Sequence, residues 1–362
     1  MASTRSCIGC SSVPRQTLSA RLQAMWYGGA TPPWPLRALA RVFGLAVELR
    51  RAAYAHGLCR SRRVAKPVIV VGNLTVGGSG KTPLVIWLAQ QLRERGLRPG
   101  VVLRGYGGVA VAGRVPCLVT PDSDVAVVGD EALLLRLRTG VPVVVGRDRV
   151  GAAERLIAAG VDVIIADDGL QHLRLARDFE IAVIDGARGL GNRYLLPAGP
   201  LREPGERLAR VDAVVTNGGA GSALDAAAAP AQAVAGAPPG FIMYLNGEWL
   251  RTLAGTGEPV ALSSLAGRRV HAVAGIGNPA RFFAQLAAAG LEVITHAFPD
   301  HHRFRAAELE FGDDLPLLMT EKDAVKCRPF AAANRWYLPV AASFAAADAS
   351  ALLARLQRCL AA

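Results

Sequence analysis

The residues of this chain that are best suited to chemistry lie in one glycine-rich stretch. Three glycines, Gly77, Gly78 and Gly80, precede Lys81 and Thr82. In a loop of this kind the backbone N–H groups and the N-terminus of the following helix face phosphate oxygens. The lysine ammonium reaches the β- and γ-phosphates, and the threonine hydroxyl binds Mg²⁺. The spacing therefore predicts a site for a nucleoside triphosphate and its magnesium ion.

One position departs from the usual phosphate-loop pattern, because Thr75 stands where that pattern has its first glycine. Gly77 and Gly78 offer the backbone freedom that the loop then needs. The alternative is an ordinary glycine turn between a strand and a helix. However, the apolar run Val68 to Val71 predicts a buried strand before the loop, and Pro83 is typical of the first turn of a helix. This register favours the phosphate site.

A second candidate set is the carboxylate pair Asp167 and Asp168, which follows the apolar stretch from Val161 to Ala166. A carboxylate at the end of a buried strand is typical of the position that holds Mg²⁺ in phosphate-loop enzymes. The alternative is a structural role, although buried acids without a cationic or metal partner are costly. Parallel sheets bind ligands at the carboxyl ends of their strands, so we expect this pair beside the glycine loop.

Two further segments carry charged groups. Asp130 and Glu131 precede a helical run, and from spacing alone they are either functional acids or simple partners of the helix dipole. The connection over 186–204 is rich in glycine, proline and arginine. Connections of this length are usually functional. Its residues Arg188 and Arg202 are suited to clamp an anionic group.

These candidates need elements that position them, and alternating short strands and helices predict an α/β fold. Residues 241–250 are typical of a β-hairpin turned at Asn246-Gly247, at a point where the composition changes. A βαβ unit over 269–295, a polar cluster at 299–303 and a closing helix over 350–360 follow. The expected divisions are a disordered tail (1–25), a basic helical segment (26–66), a catalytic domain (67–240), a hairpin linker (241–253) and a smaller α/β domain (254–362).

The net charge of +12 is concentrated at the N-terminus. Residues 1–66 hold eleven lysine or arginine residues against a single acid, Glu48, and therefore carry +10. The remainder of the chain is nearly neutral, which argues against a nucleic-acid surface running over the whole protein.

Residues 36–54 have the periodicity of an amphipathic helix. Its apolar face is formed by Leu39, Val42, Phe43, Ala46, Leu49 and Ala53. The longest uncharged stretch, Val42 to Val47, is too short to span a bilayer. An amphipathic helix with arginine on its polar face suits the membrane interface, and this is our expectation. The alternative is a helix packed on the protein's own core.

Cysteine usage favours a reducing compartment. Six cysteines are scattered along the chain, and only Cys7 and Cys10 have metal or redox spacing. Without a second pair, neither a zinc site nor a disulfide framework is expected. Residues 1–20 also lack the apolar core of a secretory signal, so a cytoplasmic protein is the simpler interpretation.

The order of these motifs resembles that of the tetraacyldisaccharide 4′-kinases, the lipid A kinases of bacteria with an outer membrane. The resemblance covers about residues 26–340, and its most specific blocks are Asp167–His172 and Leu196–Pro204. It also rests on Gly72–Asn73, the glycine loop, Leu103–Tyr106, Gly129–Glu131, Gly146–Arg149, Ala274–Pro279, Pro299–His301 and Thr320–Asp323. It implies two α/β/α sandwich domains, a P-loop NTPase-like one and a smaller C-terminal one. A two-stranded β linker would join them, and an N-terminal helix would associate with the membrane.

The resemblance further implies an activity. The γ-phosphoryl group of ATP would pass to the 4′-hydroxyl of a tetraacyl glucosamine disaccharide 1-phosphate, with Mg²⁺ as cofactor, at the cytoplasmic face of the inner membrane. It assigns catalysis to Asp130 as general base, to its partner His301 and to Lys81. It assigns ATP to Thr75, Val76, Gly77, Gly78, Ser79, Gly80, Lys81 and Thr82, the metal to Thr82, Asp167 and Glu131, and substrate or phosphate to Asp168, Gln171, Arg149 and Arg202.

Two other functions remain open on the residues alone. One is a P-loop NTPase switch or metallochaperone that acts on a protein partner, and the other is a soluble kinase for a small metabolite. The +10 segment favours the lipid substrate, because a molecule with several acyl chains stays in the bilayer. The expected partners are therefore ATP, a membrane-embedded acylated disaccharide phosphate and the membrane surface. We expect neither nucleic acid nor an obligate protein partner.

Overall fold

The computed structural model describes residues 18–106, 108, 115–218 and 234–361. Within these ranges the chain forms two α/β units, each built on one largely parallel sheet. The helices are α1 (Leu18–Tyr27), α2 (Trp34–Ala55), α3 (Lys81–Glu94), α4 (Val125–Val128), α5 (Asp130–Thr139), α6 (Arg149–Ala158), α7 (Pro279–Ala288), α8 (Glu321–Cys327) and α9 (Ala346–Ala361). The strands are β1 (Val68–Gly72), β2 (Pro99–Leu103), β3 (Cys117–Val119), β4 (Val143–Val145), β5 (Val163–Asp167), β6 (Phe179–Asp185), β7 (Ala213–Asn217), β8 (Gly240–Asn246), β9 (Trp249–Thr252), β10 (Val260–Ala261), β11 (Arg269–Ala274), β12 (Glu292–Ala297), β13 (Leu317–Thr320), β14 (Arg335–Leu338) and β15 (Ala341–Phe344).

The first unit is a sheet of nine strands in the order β15-β8-β7-β6-β1-β5-β2-β4-β3. Neighbouring strands run parallel except at the two edges, where β3 and β15 are antiparallel. Helices α3, α5 and α9 pack on one face, and α6 packs on the other. Because both faces are covered, β1 is buried along its whole length, as its β-branched sequence predicts. The predicted α/β/α sandwich is therefore present in this unit.

Strand β1 lies at the point where the chain changes direction across the sheet. It pairs with β5 on one side and with β6 on the other, and both pairs are parallel. Chain segments leaving neighbouring parallel strands in opposite directions open a crevice at their carboxyl ends, where open α/β sheets bind ligands. The glycine loop and the pair Asp167–Asp168 both lie at this edge.

The second unit is a six-stranded sheet in the order β10-β9-β14-β13-β11-β12. Strands β11 to β14 run parallel, whereas β9 and β10 are antiparallel additions. Phe282 and Leu286 of α7 pack on one face, and Ala324 and Cys327 of α8 pack on the other. This unit matches the predicted smaller α/β sandwich, with the βαβ unit in place.

The predicted β-hairpin over 241–250 is wrong. Strand β8 pairs with β7 and β15 in the first sheet, and β9 pairs with β14 and β10 in the second. Phe241, Ile242 and Met243 are all buried, so β8 has apolar neighbours on both faces of the large sheet and extends it. Asn246-Gly247 is consequently a crossing between the units and not a hairpin turn.

The expected smaller domain over 254–362 is also wrong at its C-terminal end. Strand β15 returns to pair with β8, and Leu352 and Leu356 of α9 lie in the core of the first unit. The chain therefore crosses between the units twice, once after β8 and once before β15, and these two strands are adjacent and antiparallel. The two-stranded connection exists, but β8 and β15 form it.

The N-terminal segment is more ordered than expected. Residues 18–25 belong to α1 and are not a disordered tail, while residues 1–17 of the predicted tail lie outside the described ranges. Helix α2 packs on the first unit through Ala40 and Gly44, both buried. A side chain at Gly44 would collide with Leu195, at 2.7 Å, so α2 lies directly on the 186–204 connection. Among the helices of the described ranges, none is long and apolar enough to cross a bilayer.

Candidate active site

The glycine loop joins β1 to α3 as predicted, and Lys81 is the first residue of that helix. Gly80 caps the helix with a left-handed backbone (φ 94°). A β-carbon at this position would lie 2.5 Å from Nδ2 of Asn217, so both conformation and space require glycine. The Lys81 ammonium donates to Oδ1 of Asn73 at 3.1 Å and lies 3.5 Å from Oδ1 of Asp168. The lysine is thus held at the mouth of the loop by its neighbours.

The structure explains why Thr75 replaces a glycine. Thr75 forms a β-bridge with Leu201, and this extended pairing suits a β-branched residue. On either side, the Val76 N–H donates to the Pro200 carbonyl at 2.9 Å, and the Arg202 N–H donates to the Leu74 carbonyl at 2.6 Å. The 186–204 connection therefore anchors the first half of the glycine loop, and only its second half bends tightly.

Asp167, the last residue of β5, has the environment of a metal ligand. Its side chain is buried, and within the described residues its Oδ1 has no hydrogen-bond partner. Burial raises the pKa of this carboxyl to about 7, and the negative charges of Glu131 and Asp168 add to the effect, whereas Lys81 opposes it. A buried carboxylate with an orphaned oxygen fits a divalent cation, which would supply the missing partner.

The remaining donors fit Mg²⁺ in particular. Across the described ranges, no group of three or more His, Cys, Asp or Glu side chains is arranged to hold a metal by itself. Mg²⁺ in kinase sites needs no such cage, because one or two carboxylates and the substrate phosphates hold it, together with water. Thr82, the second residue of α3, and Glu131, whose charge acts on Asp167, are the other predicted ligands.

Asp168 pairs with Arg202, one of the two arginines predicted to clamp an anionic group. Its backbone is left-handed (φ 50°). Arg202 Nη1 donates to both Asp168 carboxylate oxygens, at 3.1 and 3.0 Å. Although burial opposes it, the charges of Lys81 and Arg202 keep the Asp168 pKa below its usual value. Asp168 stays ionised and fixes both cations beside the loop.

Two predicted substrate residues lie beneath the site and brace it. Arg149 is buried at the start of α6, and its Nη1 donates to the backbone carbonyls of Val102 and Asp167, both at 2.9 Å. Gln171 Nε2 donates to the Asn73 carbonyl at 3.2 Å and to Glu203 at 2.8 Å. The predicted substrate or phosphate contacts of Arg149 and Gln171 remain predictions.

The two units meet at Asp130 and His301. Asp130 is the first residue of α5 and only 3% exposed, and His301 follows β12 in the second unit. His301 Nδ1 lies 3.1 Å from each Asp130 carboxylate oxygen. Burial would raise the Asp130 pKa, but the His301 hydrogen bond and the charges of Lys322 and Lys326 hold it below the usual value. The bond to Asp130 raises the pKa of His301.

The sequence reasoning missed two lysines that complete this pair. Lys322 and Lys326 lie one turn apart on α8 of the second unit and come within 4.0 and 3.9 Å of Asp130. Lys322 also donates to Glu131 at 3.1 Å and to Asp300 at 3.3 Å. The signal was present, because a Thr320 N-cap followed by lysines four residues apart predicts one cationic helix face.

A cavity of about 170 Å³ opens beside Asp130 and is lined by both units. The first unit contributes Tyr106, Asp124 and Gly129, and the second contributes Arg303, Phe304 and Phe330. Asp130, the candidate base, therefore lines a cavity whose other lining residues include aromatic and cationic side chains. Glu131, the residue after Asp130, and Lys81 both act on the charge of Asp167.

Comparison with known proteins identifies the family. The family model described as Tetraacyldisaccharide-1-P 4′-kinase matches residues 32–359. This chain belongs to that family. The tetraacyldisaccharide 4′-kinase of Alkalilimnicola ehrlichii is 50% identical over 346 residues, which cover 93% of this chain and 97% of that protein. The enzyme of the same name from Azoarcus sp. strain BH72 is 53% identical over 321 residues, 88% of this chain and 90% of that protein.

A solved structure of the same family has the same fold. LpxK from Aquifex aeolicus, solved in complex with ATP, is 28% identical, with a TM-score of 0.71. The match covers 89% of this chain and 98% of that one. The resemblance stated from the motifs is therefore confirmed, as is the mixed α/β fold with parallel sheets. Every predicted site residue lies inside the range that the family model matches.

Proposed function

We propose that this protein transfers the γ-phosphoryl group of ATP to the 4′-hydroxyl of a tetraacyl glucosamine disaccharide 1-phosphate. The observation that carries the proposal is the placement of Asp130. His301 Nδ1 of the second unit lies 3.1 Å from its carboxylate, and the next residue, Glu131, acts together with Lys81 of the phosphate loop on the charge of Asp167. A general base and a triphosphate site so arranged fit a kinase for a hydroxyl acceptor.

The first unit would hold the donor. The N–H groups of the glycine loop and the N-terminus of α3 face the phosphates, and Lys81 reaches the β and γ oxygens. Asp167, Glu131 and Thr82 would hold Mg²⁺. When bound, this ion would supply the positive charge that offsets the negative charge on the transferring phosphoryl group. Asn73 and Asp168 keep the Lys81 ammonium in place before the phosphates arrive.

Asp130 would act as the base. The acceptor oxygen forms a bond to the γ-phosphorus while the bond to the β–γ bridging oxygen breaks, and the hydroxyl proton passes to the Asp130 carboxylate. Because His301 and the α8 lysines lower its pKa, Asp130 is ionised near neutral pH and ready to accept. His301 Nδ1–H orients the carboxylate. ADP and the 4′-phosphorylated disaccharide leave.

Arg202 would meet the anionic part of the substrate. It stands on the 186–204 connection, is about one quarter exposed, and is held by Asp168. A guanidinium pre-oriented by a carboxylate loses little side-chain freedom when it binds an anion. Arg149 and Gln171 would support the site from below, consistent with their bonds to backbone carbonyls.

Helix α2 would place the site at the membrane. One face of α2, formed by Leu36, Ala40, Gly44 and Val47, packs on the first unit, as the alternative of a helix packed on the protein expects for that face. A second apolar stripe of Leu39, Val42, Leu45 and Leu49 is exposed. Arg37, Arg41 and Arg50, also exposed, flank it and would favour anionic headgroups. We propose on this basis that α2 binds the membrane surface, which the family resemblance puts at the cytoplasmic face of the inner membrane.

The test is incubation of the purified protein with γ-labelled ATP, Mg²⁺ and a total lipid extract presented in vesicles. We expect label on an acylated disaccharide in the organic phase, and loss of that label when residues 18–66 are removed. A P-loop switch or metallochaperone would instead hydrolyse ATP in response to a protein fraction and leave all lipids unlabelled. That second pattern would overturn the proposal.

A further inference from the structure

One contact between the units has no part in the mechanism above. Arg281, near the start of α7 in the second unit, reaches the ends of β6 and β7 in the first. Its Nη2 donates to Oδ1 of Asn217 at 2.8 Å, and its Nη1 lies 3.8 Å from Oδ2 of Asp185. Asn217 and Asp185 are almost fully buried, whereas the Arg281 side chain is 30% exposed.

Asn217 passes this contact on to the phosphate loop. Its Nδ2 donates to the Ser79 carbonyl at 3.2 Å, and its amide packs against Gly80. An amide with its oxygen toward Arg281 and its nitrogen toward Ser79 satisfies a donor and an acceptor at once, which the opposite orientation cannot do. Ser79 and Gly80 immediately precede Lys81. A side chain of the second unit is therefore two hydrogen bonds from the backbone that cradles phosphate.

The second unit also contacts the glycine loop through its backbone. A β-carbon at Gly277 would be 3.0 Å from the backbone nitrogen of Gly78. The Gly275-Ile-Gly-Asn-Pro279 turn therefore brings the start of α7 directly against the glycine loop. This turn lacks the third glycine of a nucleotide-binding fingerprint. In the interface between the units, its glycines instead allow close backbone contact with the glycine loop.

Charged side chains near Asp185 also connect the second unit to the region of the glycine loop. Asp185 Oδ1 accepts the N–H of Ala187 at 3.0 Å, and the next residue, Arg188, lies over the ring of Tyr27 from α1. The Arg188 side chain also passes close to Gly77. Arg281 of the second unit therefore lies near Asp185, and Arg188 of the first unit lies near the glycine loop. Removing Arg281 would take a charged donor from Asn217 Oδ1 and a nearby positive charge from Asp185.

We propose that Arg281 is a positioning residue for phosphoryl transfer, which fixes the phosphate loop from the second unit through Asn217. Because Asn217 donates to the Ser79 carbonyl, loss of Arg281 should loosen the backbone that binds the nucleotide phosphates. This proposal rests on the kinase reaction above, but its test needs no acceptor.

The test measures the affinity of a non-hydrolysable ATP analogue with Mg²⁺ by calorimetry, in the whole protein without lipid. Loss of a hydrogen bond to a charged group predicts about a 10- to 100-fold weaker Kd for Arg281→Gln. Arg281→Lys retains one bond to Asn217 and should recover part of the affinity. Arg268→Gln changes an exposed arginine of the same unit and should bind the analogue as the wild type does.

A double-mutant cycle separates positioning from general stability. Because Arg281 acts through Asn217, adding Asn217→Ala to Arg281→Gln should weaken binding no further than the stronger single variant does. The melting temperature of each nucleotide-free variant shows that it is folded, and Arg281→Lys carries the test if Arg281→Gln does not fold. Unchanged Kd in folded Arg281 variants, or fully additive effects in the cycle, would overturn the proposal. Failure of the lipid reaction alone would leave this result intact.

Discussion

The exposed stripe of α2 gives a prediction whose size follows from the structure. Val42 and Leu49 are 66% and 62% exposed, on the face of α2 opposite to its packing face. Full burial of such a side chain stabilises by roughly 1.5–3 kcal/mol. Burying the exposed two-thirds in lipid therefore contributes roughly 1–2 kcal/mol for each residue, by the same area scaling. The double variant Val42→Ser, Leu49→Ser should lose roughly 2–4 kcal/mol, a roughly 30- to 700-fold fall in partitioning.

The assay is co-sedimentation with vesicles that contain an anionic lipid, over a range of lipid concentrations. Trp249→Ser is the matched control, since this aromatic residue is 55% exposed but lies on β9 of the second unit. The control should partition as the wild type does, and the melting temperature of the double variant should be unchanged. Equal partitioning of the double variant and the wild type, or an equal loss in Trp249→Ser, would refute the membrane role of α2.

Three further predictions concern the site. Gly80→Ala should lower the free energy of unfolding by about 1–3 kcal/mol, because φ is 94° there, whereas Gly78→Ala, with open space around its α-carbon, should leave it unchanged in urea titrations. Asp323→Ala should cost about 3–5 kcal/mol in the same titrations, since this fully buried carboxylate accepts from the Gly275 N–H and pairs with Lys326 at 2.7 Å. An unchanged midpoint would contradict that role. His301→Gln should move the acidic limb of the kcat/KM profile to higher pH. His301 lowers the pKa of Asp130, and the base form disappears as pH falls through that pKa. An unmoved limb would argue against the pair.

The donor half of the site was predictable because its residues are contiguous. A strand, a glycine loop and Lys81-Thr82 follow one another along the chain, and Asp167-Asp168 ends a neighbouring strand. Strand ends of one parallel sheet meet at one edge, so local pattern was enough to bring these groups together. The acceptor half came from the family resemblance, since Asp130 and His301 are 171 positions apart.

What the sequence did not predict has a common physical cause. A local sequence pattern does not specify which distant strand or side chain a residue will contact. Asn246-Gly247 is the usual turn of a hairpin, yet β8 found better partners in β7 and β15. The bonds of Arg149 to two backbone carbonyls were likewise not readable from the motif around it. Asn217 had no motif at all, because its role depends on contacts with Ser79 and Arg281 from distant parts of the chain.

The measurement that tests the central claim most directly is a single-turnover transfer of labelled phosphate to the acylated disaccharide by the wild type and Asp130→Asn. General-base catalysis is worth about 10²- to 10⁴-fold, so the variant should be slower by that factor. ATP analogue binding should change little, because Lys81 and the glycine loop remain. Melting temperatures control for the loss of a buried charge that faces His301, Lys322 and Lys326. A folded Asp130→Asn protein that transfers phosphate at the wild-type rate would contradict the account.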